Sequence, residues 1–355
     1  MKYFDYLNEN ERKIIFYKEP KEFNKDIEKN ILQYTLGGLI YVPAIRKDMI
    51  YKCINREIKG ITSFAICLED AIGVLGEEES IENLREILSY IRDNKEKNYP
   101  LIFIRPKNIS QMKKFTYLLQ ENKDLISGII IPKATGVKIR NFIDILDNKD
   151  CSNLYIMPII ESVEFIDYNL KHEYLMDLQQ TVKEYRQRIL NIRIGVTDIL
   201  GSYGIRRDKD LTIYDNIAFK NFTSDLMSVI RCEEIDIPIS GGVSEVYDMS
   251  NLDILKKYIK EVKIDKLNGF IGKTVIHPLQ MNVVQAMNAI AYEDYMDAKS
   301  IIDGIGSKYS ISSSINCERM NEVNPHTRWA KKIMVLSKIY GVLNKGIKVD
   351  ELFRF

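Results

Sequence analysis

Leu101-Ile-Phe-Ile-Arg105-Pro106, Gly128-Ile-Ile-Ile-Pro132-Lys133 and Tyr155-Ile-Met-Pro-Ile-Ile160-Glu161 decide the reading of this chain. Each is a short apolar run that ends in a charged residue, and longer amphipathic stretches lie between them. Strands separated by helical segments imply crossover connections and a parallel sheet. The same unit recurs on both sides. Leu39–Val42, stopped by Pro43, and Phe64–Leu68 come before; Ile192–Val196, Ile237–Ile239 and Ile271–Ile276 come after. Eight such strands predict an α/β fold, a (β/α)₈ TIM barrel, with catalytic groups gathered at the C-terminal strand ends. An open doubly wound sheet is the competing architecture, but no Gly-x-Gly-x-x-Gly follows any strand.

Between the strands, helices are expected from about Arg46 to Ile58 and from about Met249 to Leu267. Ser80 is read as the cap of a helix through Asn94, with Ile81, Leu84, Ile87, Leu88 and Ile91 on one face. Pro278 suits the first turn of a helix after the eighth strand. Residues 1–36 are expected to form an extension packed on the barrel, and 37–292 the barrel itself. Residues 293–355 are expected to form a helical cap or lid that includes a serine-rich loop (Ser307–Ser314) and a helix carrying Trp329.

Composition narrows the function. Hydrophobic residues make up 45% and charged residues 28%, the profile of a globular protein. Lys and Arg (51) nearly balance Asp and Glu (50), and no basic stripe marks a nucleic-acid binder. No apolar run is long enough to cross a bilayer, and the N-terminus lacks the apolar core of a signal peptide. Five widely spaced cysteines without a Cys-x-x-Cys pair point to reduced thiols in a cytoplasmic protein. A small-molecule substrate is the expected partner.

Seven of the eight strands run into a polar residue: Glu69-Asp70, Arg105, Lys133, Glu161, Asp198, Ser240 and His277. On parallel strands these would converge on one pocket. Glu161 and Asp198, on neighbouring strands, can share a hard divalent cation whose other positions are taken by water and substrate oxygens. As single residues each would equally serve as a helix cap. Arg105 can clamp a carboxylate or hold an oxygen that gains charge in an enolate-forming step; the alternative is a structural pair with Glu69 or Asp70. Lys133 is either a charged anchor or, with a depressed pKa, a Schiff-base nucleophile. His277 is an acid–base candidate, but a hydrogen-bond donor supporting the barrel is the preferred reading. Ser240-Gly241-Gly242 and Gly201-Ser202-Tyr203-Gly204 with Arg206-Arg207 are candidate anion turns.

The same residues stand in an ordered set of motifs. Leu39-Ile40-Tyr41-Val42-Pro43-Ala44-x-Arg46, Cys67-Leu68-Glu69-Asp70-Ala71-Ile72 and Ile131-Pro132-Lys133 come first. Ile160-Glu161-Ser162, Gly195-x-x-Asp198 and Gly272-Lys273-x-x-Ile276-His277-Pro278-x-Gln280 follow. Over residues 37–290 this set resembles the superfamily of citrate lyase β-subunit, malyl-CoA lyase and HpcH/HpaI aldolases. Ile239-Ser240-Gly241 and Met320-Asn321-Glu322-Val323-Asn324-Pro325-His326 with Trp329-Ala330 resemble its C-C bond lyase branch associated with tellurium-resistance gene clusters. Ser244 stands where that branch usually has an aromatic residue. The resemblance implies a Mg²⁺ (or Mn²⁺) dependent carbon–carbon lyase or aldolase acting on a 2-oxo acid or 3-hydroxyacyl substrate through an enolate. It implies Glu161 and Asp198 as metal ligands, Arg105 as substrate anchor, and Glu69 and Asp70 behind the metal-bound water. Asp70, His277 or a water held by Glu69 would act as base. Relatives in the wider family are commonly trimers or hexamers, so a homo-oligomer is expected. Some bind coenzyme A, for which no residue of this chain is assigned.

Overall fold

The computed structural model describes residues 1–69, 76–94, 98–231, 235–306 and 311–353. Asp70 therefore lies outside the described residues. By internal contacts the chain divides into two compact units, Asn24–Met281 and a second built from Met1–Phe23 together with Asn282–Phe355. The sequence reading placed its boundaries at 36/37 and 292/293 instead.

In the first unit the strands Gly38–Pro43, Ser63–Cys67, Leu101–Arg105, Gly128–Ile131, Tyr155–Ile160, Ile192–Ile194, Ile239–Ser240 and Lys273–Val275 form one parallel sheet in chain order, with the eighth against the first. Val42 pairs with Ile66, Cys67 with Arg105, Phe103 with Gly128, Ile131 with Pro158, Ile160 with Ile194 and Arg193 with Ser240. A parallel bridge between Gly241 and Lys273 joins the last two strands and closes the barrel. The strands are apolar along their length because helices cover one face and the barrel core the other. Phe64, Ile66, Phe103, Ile104, Ile129 and Ile130 are fully buried.

The last strands are shorter than their apolar runs suggest. Ile194 ends the sixth, and a helix begins at Val196. The helix after the second strand starts at Glu77, not at a Ser80 cap. Ser80 is buried within it and donates to the Glu77 carbonyl at 2.7 Å. Gly76 holds the cap position, and Glu77, Glu78 and Glu79 in the first turn complement the helix dipole. Asn251 caps Leu252–Leu267 by accepting from Asp253 and Ile254. Pro278 does open a helix, Pro278–Asn288.

In the second unit, strand Phe16–Lys18 pairs antiparallel with Val342–Leu343. Tyr3 packs on Phe23 and Tyr340, and helix Tyr292–Asp303 lies along helix Val323–Tyr340, which carries Trp329. Ile311–Ser313 and Met320–Glu322 form a hairpin. Among the described residues no helix is long and apolar enough to cross a membrane.

Candidate active site

Arg105 ends the third strand with its side chain only 8% exposed. Its Nη2 pairs with Glu69 Oε2 and stands 3.8 Å from Glu161 Oε1. Its Nη1 donates to Cys67 Sγ at 3.6 Å, and the guanidinium lies 5.5 Å from the Tyr41 ring centre. Burial disfavours the charge, but Cys67, Tyr41, Glu69 and Glu161 together hold Arg105 above its ordinary pKa. The ion pair with Glu69 is the structural alternative left open by the sequence, and it coexists with the approach to Glu161.

Glu161 follows the fifth strand and is 4% exposed. Its Oε1 accepts the main-chain N–H of Lys133 at 2.9 Å. Gly195, the N-cap of helix Val196–Ser202, leaves the space that this carboxylate fills: a Cβ there would come within 2.0 Å of Glu161 Oε2. Asp198 lies in the first turn of the same helix, half-exposed, and Lys133 Nζ approaches its Oδ1 at 3.3 Å. Strand five, the turn after strand four and the helix after strand six thus bring Glu161, Lys133 and Asp198 together. Burial first, then Asp198 and Glu69, push the Glu161 carboxyl up to about 7 against the opposing pull of Arg105 and the Lys133 N–H.

Burial is the main cause of that shift and the neighbouring carboxylates add to it, and a divalent cation between Glu161 and Asp198 would favour the charged form again. Among the described residues no group of three or more His, Cys, Asp and Glu side chains forms a ready cage. Two carboxylates are nevertheless what Mg²⁺ usually takes from a protein, with water and substrate oxygens completing its octahedron. The donor set fits.

Lys133 does not have the environment of a Schiff-base nucleophile. The Asp198 carboxylate raises its pKa, and the side chain is 53% exposed, so the amine stays charged. Ser240 and Gly241 are not placed to bind substrate. Ser240 is fully buried with its hydroxyl donated to the Ile271 carbonyl at 2.8 Å. Gly241 donates its N–H to the Gly272 carbonyl at 3.0 Å and accepts from Thr274 N–H at 3.1 Å. Both are consumed in closing the barrel. A Cβ on Gly241 would meet the Asp265 carboxylate at 2.6 Å, so the glycine answers a close approach rather than an anion.

His277 Nδ1 accepts the Leu279 N–H at 3.3 Å, and the ring stacks on Tyr247. In the neutral ring that bond goes with the proton on Nε2, the hydrogen-bond donor that the sequence reading preferred. The Gly201–Gly204 turn is also no anion cradle. Gly204, in the left-handed region, returns its N–H to the Gly201 carbonyl at 2.9 Å, and a helix C-terminus presents carbonyl oxygens. Arg207 is buried against Glu261, while Arg206 is exposed. Ser244, in the loop after the seventh strand, is buried, and Gln280 Nε2 ties that loop down through the Ser244 and Val246 carbonyls, each at 2.9 Å.

Two polar residues beneath the rim join the cluster. Tyr41 lies between Arg105 and Arg193, whose guanidinium is 5.8 Å from its ring centre. Arg193 is fully buried and donates to Thr274 Oγ1 at 2.6 Å. The signal in the sequence was a charged residue inside an apolar strand, Asn191-Ile-Arg193-Ile, one residue before the strand end.

The model of the family described as C-C bond lyase of the TIM-barrel fold matches residues 30–342. Curated proteins give no match. A citrate lyase from Burkholderia xenovorans LB400 is similar at a TM-score of 0.64 and 14% identity, over 90% of this chain and 96% of that one. CitE from Mycobacterium tuberculosis, in complex with magnesium, acetoacetate and coenzyme A, is similar at a TM-score of 0.59 and 14% identity, over 86% and 99%. RipC from Yersinia pestis is similar at 0.50 and 16%, over 72% and 95%. At these identities the likenesses show the barrel fold, and the family match shows the enzyme class. The chain is a carbon–carbon lyase and belongs to the C-C bond lyase family of the TIM-barrel fold.

Proposed function

We propose that this lyase is Mg²⁺-dependent and makes or breaks a carbon–carbon bond next to a carbonyl of a 2-oxo acid or 3-hydroxyacyl substrate. Glu161 and Asp198 would hold the ion, which supplies Lewis-acid stabilisation of the oxygen that gains charge. Magnesium with a small oxo compound in CitE of M. tuberculosis supports the pairing of metal and substrate class. Coenzyme A is present there too, but no residue of this chain carries an argument for it.

Arg105 does the work that this chain can be seen to prepare. Held between Glu69 and Glu161, its guanidinium is charged and fixed beside one of the two proposed ligands. A preorganised cation there neutralises charge developing on the substrate without reorienting during the reaction. Lys133 adds a second cation at the open side of the site. The proton acceptor would be Asp70, a water held by Glu69 or His277, and the bond from the Leu279 N–H to His277 Nδ1 favours the first two. The observation that carries the reading is Glu161, buried and crowded by Asp198 and Glu69 on a site rim with one fixed guanidinium.

Cleavage beside a carbonyl leaves an enolate, so the enzyme should exchange the α protons of its product with solvent. The test is proton NMR in D₂O with Mg²⁺ and a panel of 2-oxo acids and acyl thioesters. Metal-dependent deuterium incorporation into at least one member, lost in Asp198→Ala, is expected. Exchange that persists with chelator, or is equal in the variant, would overturn the metal assignment.

A further inference from the structure

Lys133 contacts both proposed ligands through different parts of itself. Its main-chain N–H donates to Glu161 Oε1 at 2.9 Å, and its ammonium stands 3.3 Å from Asp198 Oδ1. The residue sits at φ +46°, a left-handed backbone that residues other than glycine rarely adopt. That turn is held from the far side, where Lys138 Nζ donates to the Lys133 carbonyl at 2.8 Å. Glycine would remove the strain, yet it would also remove the ammonium. The turn aims the N–H at one carboxylate and the side chain at the other.

We infer that Lys133 keeps the place of the divalent cation at Asp198: its ammonium pairs with that carboxylate in the metal-free enzyme and is displaced when the ion enters. Its N–H goes on orienting Glu161 throughout. The inference rests on Glu161 and Asp198 being the metal ligands. The ammonium, on a flexible stem that is half-exposed, can leave Asp198 without moving the backbone. Lys133 is therefore a positioning residue whose charge competes with the metal, and the pair stops Asp198 from facing Glu161 uncompensated.

Calorimetric titration of Mg²⁺ into the metal-free protein tests this without relying on turnover. Lys133→Met keeps the stem and loses the charge, so its Kd should tighten by about two- to fivefold, the range for an exposed ion pair. Lys133→Arg should return it toward the wild-type value, and the difference should shrink as salt rises. Equal or weaker binding by Lys133→Met would overturn the inference, provided Asp198→Asn abolishes binding. Where Asp198→Asn binds as the wild type does, the ligand assignment fails first and the inference with it. Should Lys133→Met not fold, Lys133→Gln makes the same comparison.

Discussion

Gly195 and Glu161 are packed so closely that a Cβ on the glycine would stand 2.3 Å from the Cβ of the glutamate. No rotamer adjustment of the carboxylate alone relieves a contact with its own Cβ. Gly195→Ala should therefore overpack the site, costing about 1–3 kcal/mol in denaturant unfolding. It should also displace Glu161 and weaken Mg²⁺ binding at least tenfold. Unchanged stability would show that strands five and six do not approach as described.

The raised Glu161 carboxyl gives a pH signature. With a folded pKa of about 7 against 4.5 for the ordinary group, the residue favours folding below pH 4.5, and that contribution is lost as pH rises through about 7. The full loss is on the order of 3 kcal/mol. Metal-free wild type should lose stability relative to Glu161→Gln between pH 5 and 8, and saturating Mg²⁺ should restore the wild type only. Denaturant unfolding at both pH values checks this. A constant difference between the proteins would contradict it.

Arg105 serves two buried carboxylates at once. Arg105→Ala should lower kcat by about 10²–10³-fold, as for loss of one fixed donor to developing charge. It should also destabilise the fold by about 3–5 kcal/mol, because Glu69 and Glu161 are left without their cation. Arg105→Lys should recover more stability than activity, since an ammonium restores charge but not the fork. Steady-state kinetics and unfolding of both variants separate the two effects.

Away from the proposed metal site, Lys273 is fully buried between Glu261 at 3.0 Å and Asp265 at 2.8 Å, on the strand that closes the barrel. Lys273→Met should cost about 3–5 kcal/mol, because Asp265 loses its cation and Glu261 keeps only Arg207. Lys273→Met combined with Glu261→Gln and Asp265→Asn should recover part of it. A single variant as stable as wild type would mean that the network is hydrated.

The barrel was legible because strands buried on both faces read as continuous apolar runs, and seven of the eight runs led into a polar residue. Glu161, Asp198, Arg105 and Lys133 came from that position alone. Ser240 and Gly241 were misread because a glycine after a strand marks a tight turn and a close approach equally well. In this chain the neighbour is Asp265. Tyr41 and Arg193 escaped a rule that inspects strand ends, since they lie inside strands with their polar groups toward the core. Ser80 looked like a cap, but three glutamates and Gly76 start that helix a turn earlier.

Crystals soaked with Mn²⁺ and measured for anomalous scattering test the central claim most directly. One peak within about 2.3 Å of oxygens from both Glu161 and Asp198, with the Lys133 ammonium moved off Asp198, is the predicted result. Carboxylates that keep their metal-free positions with no peak between them would contradict it.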